Sequence, residues 1–213
     1  PYKVDDYLAE IEQHRAAHPE MQIIAGVEVD WLGDFENRDF SQEDWSRFDM
    51  VLGSIHYLDG WAFDDPSLIK AWDAMGVDDC WRRYFEVWCQ CATSDGPITL
   101  MSHPDLIKKF GFRPSFDPSI LYSDAAEAVA SSGRMVEVNT SGRYYGCQEY
   151  FPCPDLLREF CKAGVPCTVG TDAHQAAHVA RDITEAYQYL YDAGYRFVTA
   201  ILPGGGTRQI PIE

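Results

Sequence analysis

Two periodicities take turns along this chain. Short apolar runs of strand length occur in "MQIIAGVEV", "DMVLGSIHYL", "PITLMSHPD", "RMVEVNTSG", "VPCTVGTDA" and "FVTAIL", and they predict six strands. Stretches with helical spacing lie between them. Val4, Leu8 and Ile11 predict a helix over "VDDYLAEIEQHRAA" that stops before Pro19. The segment "LIKAWDAMGVDDCWRRYFEVWCQCATSDG" predicts two helices divided near Gly76, and its aromatic part, 81–91, reads as core packing. Three more helices follow. "SILYSDAAEAVASSG" is closed by Gly133, "PDLLREFCKAG" runs from Pro154 to Gly164, and "HVARDITEAYQYLYDAG" comes last.

Strands alternating with helices imply an α/β fold with a parallel sheet, either closed as a barrel or open and doubly wound. No internal repeat, low-complexity linker or composition break divides the 213 residues, so a single domain over 1–213 is expected. In both sheet architectures chemistry gathers where strands end, which tells us where to look for reactive groups.

Such groups do gather there. The first strand ends at Glu28, the second at His56, the third at His103, the fourth at Glu137 and Asn139, and the fifth at Asp172 and His174. Taken singly, each has an ordinary reading. A lone Glu28 is a surface carboxylate, a lone His56 or His103 is a satisfied structural histidine, and Asp172 after Gly170-Thr171 is a cap. The remaining histidines, His14, His18 and His178, read as structural or solvated. Three of the six histidines at strand ends, joined by carboxylates, form a pattern that these separate readings do not explain.

Imidazole and carboxylate without thiolate suit zinc, manganese or iron. A carboxylate shared between two ions lets both polarise one water and one substrate oxygen. No G-x-S-x-G elbow and no Gly-rich phosphate loop competes. The "GGG" at 204–206 has no helix after it and carries little weight.

Charge narrows the partners. The formal net charge is −17, and lysines and arginines are scattered, with only Arg82-Arg83 and Lys108-Lys109 adjacent. That balance disfavours a nucleic-acid partner and leaves a small anionic substrate open. There is no membrane-length apolar run and no signal segment, so a membrane is not expected as partner and a cytoplasmic location is. The seven cysteines are odd in number and lack zinc-ribbon spacing, and are expected to be reduced thiols. A homo-oligomer is left open.

In order, "GVEVDW", "GSIHYLDG", "SHPDLIKKFG", "EVNTSGRY" and "VGTDAH" resemble the PHP superfamily, named for polymerase and histidinol phosphatase domains, and resemble its histidinol-phosphate phosphatases most. The likeness spans about residues 21 to 181. It implies a distorted TIM-like β/α barrel of seven strands with two or three divalent ions, zinc foremost and iron or manganese as alternatives, at the strand C-terminal face. Carried over by position, Glu28 would bridge two metals, His56 and His103 would bind the second, Asp172 the first and His174 the third. Glu28, Asp172 and His174 would thus carry the catalysis. Arg143 and Arg181, the latter at a helix start, would meet the phosphate, with Glu137 and Asn139 behind the ligands or at the edge of the site.

The implied activity is hydrolysis of a small phosphorylated substrate, L-histidinol phosphate, in histidine biosynthesis through a metal-bound hydroxide. Asp59 and Asp64 are candidates for the cationic half of that substrate. Family members open with a His-x-His strand, whereas this chain begins at "PYKVDDYLAE". The resemblance therefore implies an N-terminally truncated barrel, with the first strand absent and stability and activity reduced. The alternatives are a PHP-type nuclease, another small-molecule phosphoesterase, or a non-catalytic barrel fragment.

Overall fold

The computed structural model describes residues 3–33 and 44–213. Helix α1 covers Val4–Ala17, followed by strands β1 (Gly26–Asp30) and β2 (Met50–Ser54). A small antiparallel hairpin, β3 (Tyr57–Leu58) and β4 (Trp61–Ala62), precedes α2 (Ala71–Met75) and α3 (Val77–Thr93). Then come β5 (Leu100–Met101), α4 (Ser119–Ser132), β6 (Met135–Asn139), α5 (Pro154–Lys162), β7 (Cys167–Gly170) and α6 (Ile183–Ala193). Strands β8 (Phe197–Ile201) and β9 (Thr207–Pro211) end the order.

Five strands form one sheet in the order β1-β2-β5-β6-β7, and every pairing in it is parallel. All five C-termini therefore point the same way. Helices α3 to α6 pack one against the next. The split near Gly76 is real, since its φ of +81 is a conformation glycine adopts without penalty. Beyond it, α3 buries Trp81, Tyr84, Phe85, Trp88 and Cys91 in the main core, so the aromatic stretch is interior.

The C-terminus of α3 leaves carbonyls without helical partners, and Arg134 takes them. Its guanidinium donates to Cys91 O, Ala92 O, Ser94 O, Gly96 O and Ile98 O. On the other side of the sheet, Tyr7 of α1 donates its hydroxyl to Gly26 O at 2.8 Å. Val4, Tyr7 and Leu8 pack there against Val29, Phe48 and Val51.

Two expectations change. The run "FVTAIL" does form a strand, but its ladder hydrogen bonds go to β9 in an antiparallel hairpin rather than to the parallel sheet. The reason lies in the glycines at 204–206. Gly204 and Gly205, at φ +85 and +77, make the tight turn that folds "TRQIP" back onto β8. Strand β1 also starts at Gly26 rather than near Met21, because its partner β2 begins opposite it at Met50.

Candidate metal centre

The parallel register places the site. Asp30 lies opposite Ser54 across β1 and β2. Glu28 and Asp30 sit two apart on β1, so both side chains leave the same face. His56 follows the end of β2, and His103 follows β5 by way of Ser102, whose N–H still bonds Gly53 O. One face of four adjacent strand ends thus collects Glu28, Asp30, His56, His103 and Glu137.

Ligand atoms of Glu28, His56 and His103 lie within 4.8 Å of one another, the only such three-residue cluster among the described residues. His103 Nε2 is 3.1 Å from Glu28 Oε1, and His56 Nε2 is 3.6 Å from the same oxygen. The two imidazole rings are tilted, with centroids 5.0 Å apart. Burial alone would push the Glu28 carboxyl up. The hydrogen bond and charge of His103, the Ser54 hydroxyl and the charge of His56 outweigh it and bring the carboxyl down to about 2. Glu28 is therefore held well below the usual carboxylate range. His103 shows the reverse balance, with burial lowering its pKa and Glu28, Glu137 and Asp172 raising it above the ordinary value.

Each of the three side chains is held from behind. Ser54 donates to Glu28 Oε1 at 2.5 Å and lies 2.5 Å from the Ser102 hydroxyl. His56 Nδ1 faces Asp30 Oδ1 at 2.5 Å. The backbone N–H of His103 donates to Glu137 Oε1 at 2.8 Å, which also accepts from Asn139 Nδ2 at 2.9 Å. Glu137 is buried, and burial raises its pKa. Its fit depends on Gly170, where a Cβ would stand 2.2 Å from Glu137 Oε2. The backbone is strained where chemistry gathers, as His103 (φ +21), Asp105 (φ +60) and Asp172 (φ +49) are all left-handed.

A divalent ion fits these residues. The donors are one carboxylate and two imidazoles, a set that zinc, manganese and iron accept. His103 is buried, yet its Nδ1 has no hydrogen-bond partner, an uncompensated cost in a finished apolar core.

Asp172 and His174 fall outside that three-residue cluster. Asp172 sits close enough for its charge to raise the pKa values of both His103 and Glu137. His174 does not turn inward: its side chain is 82% exposed and its Nδ1 lies 2.9 Å from Asp172 O. Arg143 donates to the Tyr150 hydroxyl at 3.1 Å and is half-exposed. Arg181 is not at a helix start, since α6 begins at Ile183. Instead its carbonyl accepts from the Thr140 hydroxyl, and its guanidinium lies 3.5 Å over the Tyr144 ring. Asp59 and Asp64 are both engaged, Asp59 with Arg83 and Asp64 with Lys109.

No protein-family model matches the chain. The protein named Probable histidinol-phosphatase from Deinococcus radiodurans is 31% identical over 204 residues, 92% of this chain and 75% of that protein. The chain belongs to the histidinol-phosphatase family. A second Probable histidinol-phosphatase, from Clostridium acetobutylicum, is 23% identical over 182 residues, 81% of this chain and 67% of that one. Among solved structures, the histidinol phosphate phosphatase of Lactococcus lactis, complexed with zinc, L-histidinol and phosphate, superposes with a TM-score of 0.77. That match covers 98% of this chain and 80% of the other at 19% identity, and it shows the shared fold.

For a histidinol-phosphatase family member, the residues that sequence reading missed are three of those behind the donors, Asp30, Ser54 and Ser102. Asp30 carried a signal, because it stands two residues after Glu28 on a strand and so shares its face. Ser54 and Ser102 carried none, since a serine at a strand end reads as a turn residue.

Proposed function

We propose that this protein is a metal-dependent phosphomonoesterase that hydrolyses L-histidinol phosphate to L-histidinol and phosphate. The observation that carries this reading is the convergence of Glu28, His56 and His103 at the parallel strand ends of a histidinol-phosphatase family chain.

Bound divalent ions supply Lewis-acid polarisation of a phosphoryl oxygen and acidify water near neutral pH. The chain's own residues prepare that chemistry. Glu28, held below the usual carboxylate range and fixed by Ser54, presents a carboxylate with no proton to displace. Asp30 keeps the proton of His56 on Nδ1, so that Nε2 offers its lone pair beside Glu28. His103, anchored through its backbone to Glu137, closes the triangle. Asp172 is proposed as a further ligand because its charge already reaches His103, and His174 as a ligand after its ring turns in from solvent. Two or three ions, zinc foremost, would be held in this way.

Arg143 and Arg181 are proposed to grip the phosphate, since a guanidinium matches two phosphate oxygens at once. The Arg181 Nε is buried without a partner, so a donor is ready there. We further propose that residues 1–213 form a single domain in which the sheet continues into a distorted barrel of the PHP type. In support, β8 packs against β7, and the tip of the β8-β9 hairpin returns to the start of β2, Gly204 N–H donating to Asp49 Oδ1 at 2.6 Å.

The test is phosphate release from L-histidinol phosphate by zinc-loaded and chelator-stripped protein. Release that depends on restored metal is expected. Metal-loaded protein that releases phosphate from no phosphomonoester would sink the proposal.

A further inference from the structure

Lys108 and Asp105 are both fully buried, with Nζ 2.9 Å from Oδ2. Lys108 also donates to Tyr150 O at 2.8 Å and lies 3.2 Å from Glu149 Oε2. Asp105 Oδ2 accepts from the Cys153 N–H at 2.8 Å. A buried pair of this kind is seldom worth its desolvation, because apolar replacements are often neutral or better. Stability alone therefore does not account for it, and its connections suggest another role.

Asp105 is two residues after His103, in the left-handed turn that swings His103 out of β5. Tyr84, itself buried, accepts the next N–H of that turn, from Leu106, at 3.1 Å. The other partners of Lys108, the Tyr150 carbonyl that accepts from it and the Glu149 carboxylate paired with it, lie on the segment after β6. That segment is tied to the sheet by Asn139 N to Phe151 O at 2.7 Å and Phe151 N to Asn139 O at 3.0 Å. Asn139 in turn holds Glu137, which holds the His103 backbone. The contacts form a closed ring from His103 through Glu137, Asn139, the 149–153 segment, Lys108 and Asp105 back to His103. Arg143 hangs from the same ring through its bond to the Tyr150 hydroxyl.

We propose that the buried Asp105–Lys108 pair is a positioning device that fixes the metal-facing His103 and the phosphate-facing Arg143 relative to one another. This rests on the phosphatase reading for the role of Arg143. Lys108 touches neither metal nor substrate; it acts through His103 on one side and through Tyr150 and Arg143 on the other.

The experiment pairs Asp105→Asn/Lys108→Met, which removes both charges at similar size, with Tyr150→Phe, which cuts only the Arg143 link. Zinc affinity is measured by competition with a chromophoric chelator. Binding of inorganic phosphate to zinc-loaded protein is measured by titration calorimetry, and the folded state by circular dichroism. The double variant is expected to bind zinc on the order of tenfold more weakly and to lose phosphate affinity as well. Tyr150→Phe is expected to keep wild-type zinc affinity while phosphate binding weakens severalfold. A folded double variant with wild-type zinc and phosphate affinities overturns the proposal. Unchanged phosphate binding in Tyr150→Phe overturns it too, even if the double variant fails to fold. Neither binding measurement needs turnover, so wild-type protein that binds zinc and phosphate but hydrolyses nothing would sink the phosphatase reading alone.

Discussion

Asp30 Oδ1 lies 2.5 Å from His56 Nδ1, and this contact decides which nitrogen His56 offers to the site. A carboxylate at neutral pH has no proton to give, so the imidazole donates and its Nε2 is left as the free lone pair. A histidine ligand backed by a carboxylate is a stronger and better-aimed donor. Asp30→Ala is therefore expected to weaken zinc binding by roughly 10–100-fold with little change in thermal stability, because Asp30 is only partly buried. A competition titration showing wild-type zinc affinity would remove Asp30 from the site.

The proposed metal ligands should behave differently. His103→Ala removes the most buried donor of the cluster, and Asp172→Ala removes the charge that reaches it. Both variants are expected to abolish phosphate release from L-histidinol phosphate while the far-ultraviolet circular dichroism spectrum stays that of the parent. Wild-type turnover in either would end the assignment of that residue.

How much of this was legible in the sequence can be argued element by element. Strands of a covered parallel sheet announce themselves as apolar runs, so β2, β6 and β7 were readable, and β6 is buried at all five positions. The start of β1 was not readable, because strand ends depend on the partner, and the register with β2 begins only at Gly26 opposite Met50. Glu28, His56 and His103 were legible because a strand end is a place where their types are informative. His174 was expected alongside them, yet its ring faces solvent in this structure. Lys108 was illegible: beside Lys109 it reads as half of a surface pair, and only tertiary packing buries it completely.

Gly170 is predicted to resist substitution for a local reason. Its backbone passes so close to Glu137 that any Cβ would meet Oε2 at 2.2 Å. Gly170→Ala must push Glu137 off the His103 N–H, at a cost of roughly 1–3 kcal/mol for forced repacking. A lowered Tm together with weakened zinc affinity is the expected pair of effects. Combining it with Glu137→Asp, which withdraws the clashing oxygen, should cost less than the sum of the single changes. Strict additivity in that cycle would argue against the clash.

Asp49 gives a prediction about acid. It accepts from Ala25 N–H at 2.6 Å, from Gly204 N–H at 2.6 Å and from Arg15 at 2.5 Å, so it joins α1, the start of the sheet and the tip of the β8-β9 hairpin. Burial raises its pKa, but the two backbone N–H groups and Arg15 outweigh burial and hold it below the usual carboxylate value. Because the folded value is the lower one, the stability Asp49 contributes is complete above the unfolded pKa of about 3.9. It is lost as pH falls through the depressed folded value. Asp49→Asn should therefore cost roughly 1–3 kcal/mol at pH 7, and the gap to wild type should close as the pH drops below about 4. Denaturant melts at pH 7, 5 and 3 measure this directly. A gap that is the same at every pH would mean that Asp49 is held by shape alone, and that the hairpin tip owes nothing to its charge.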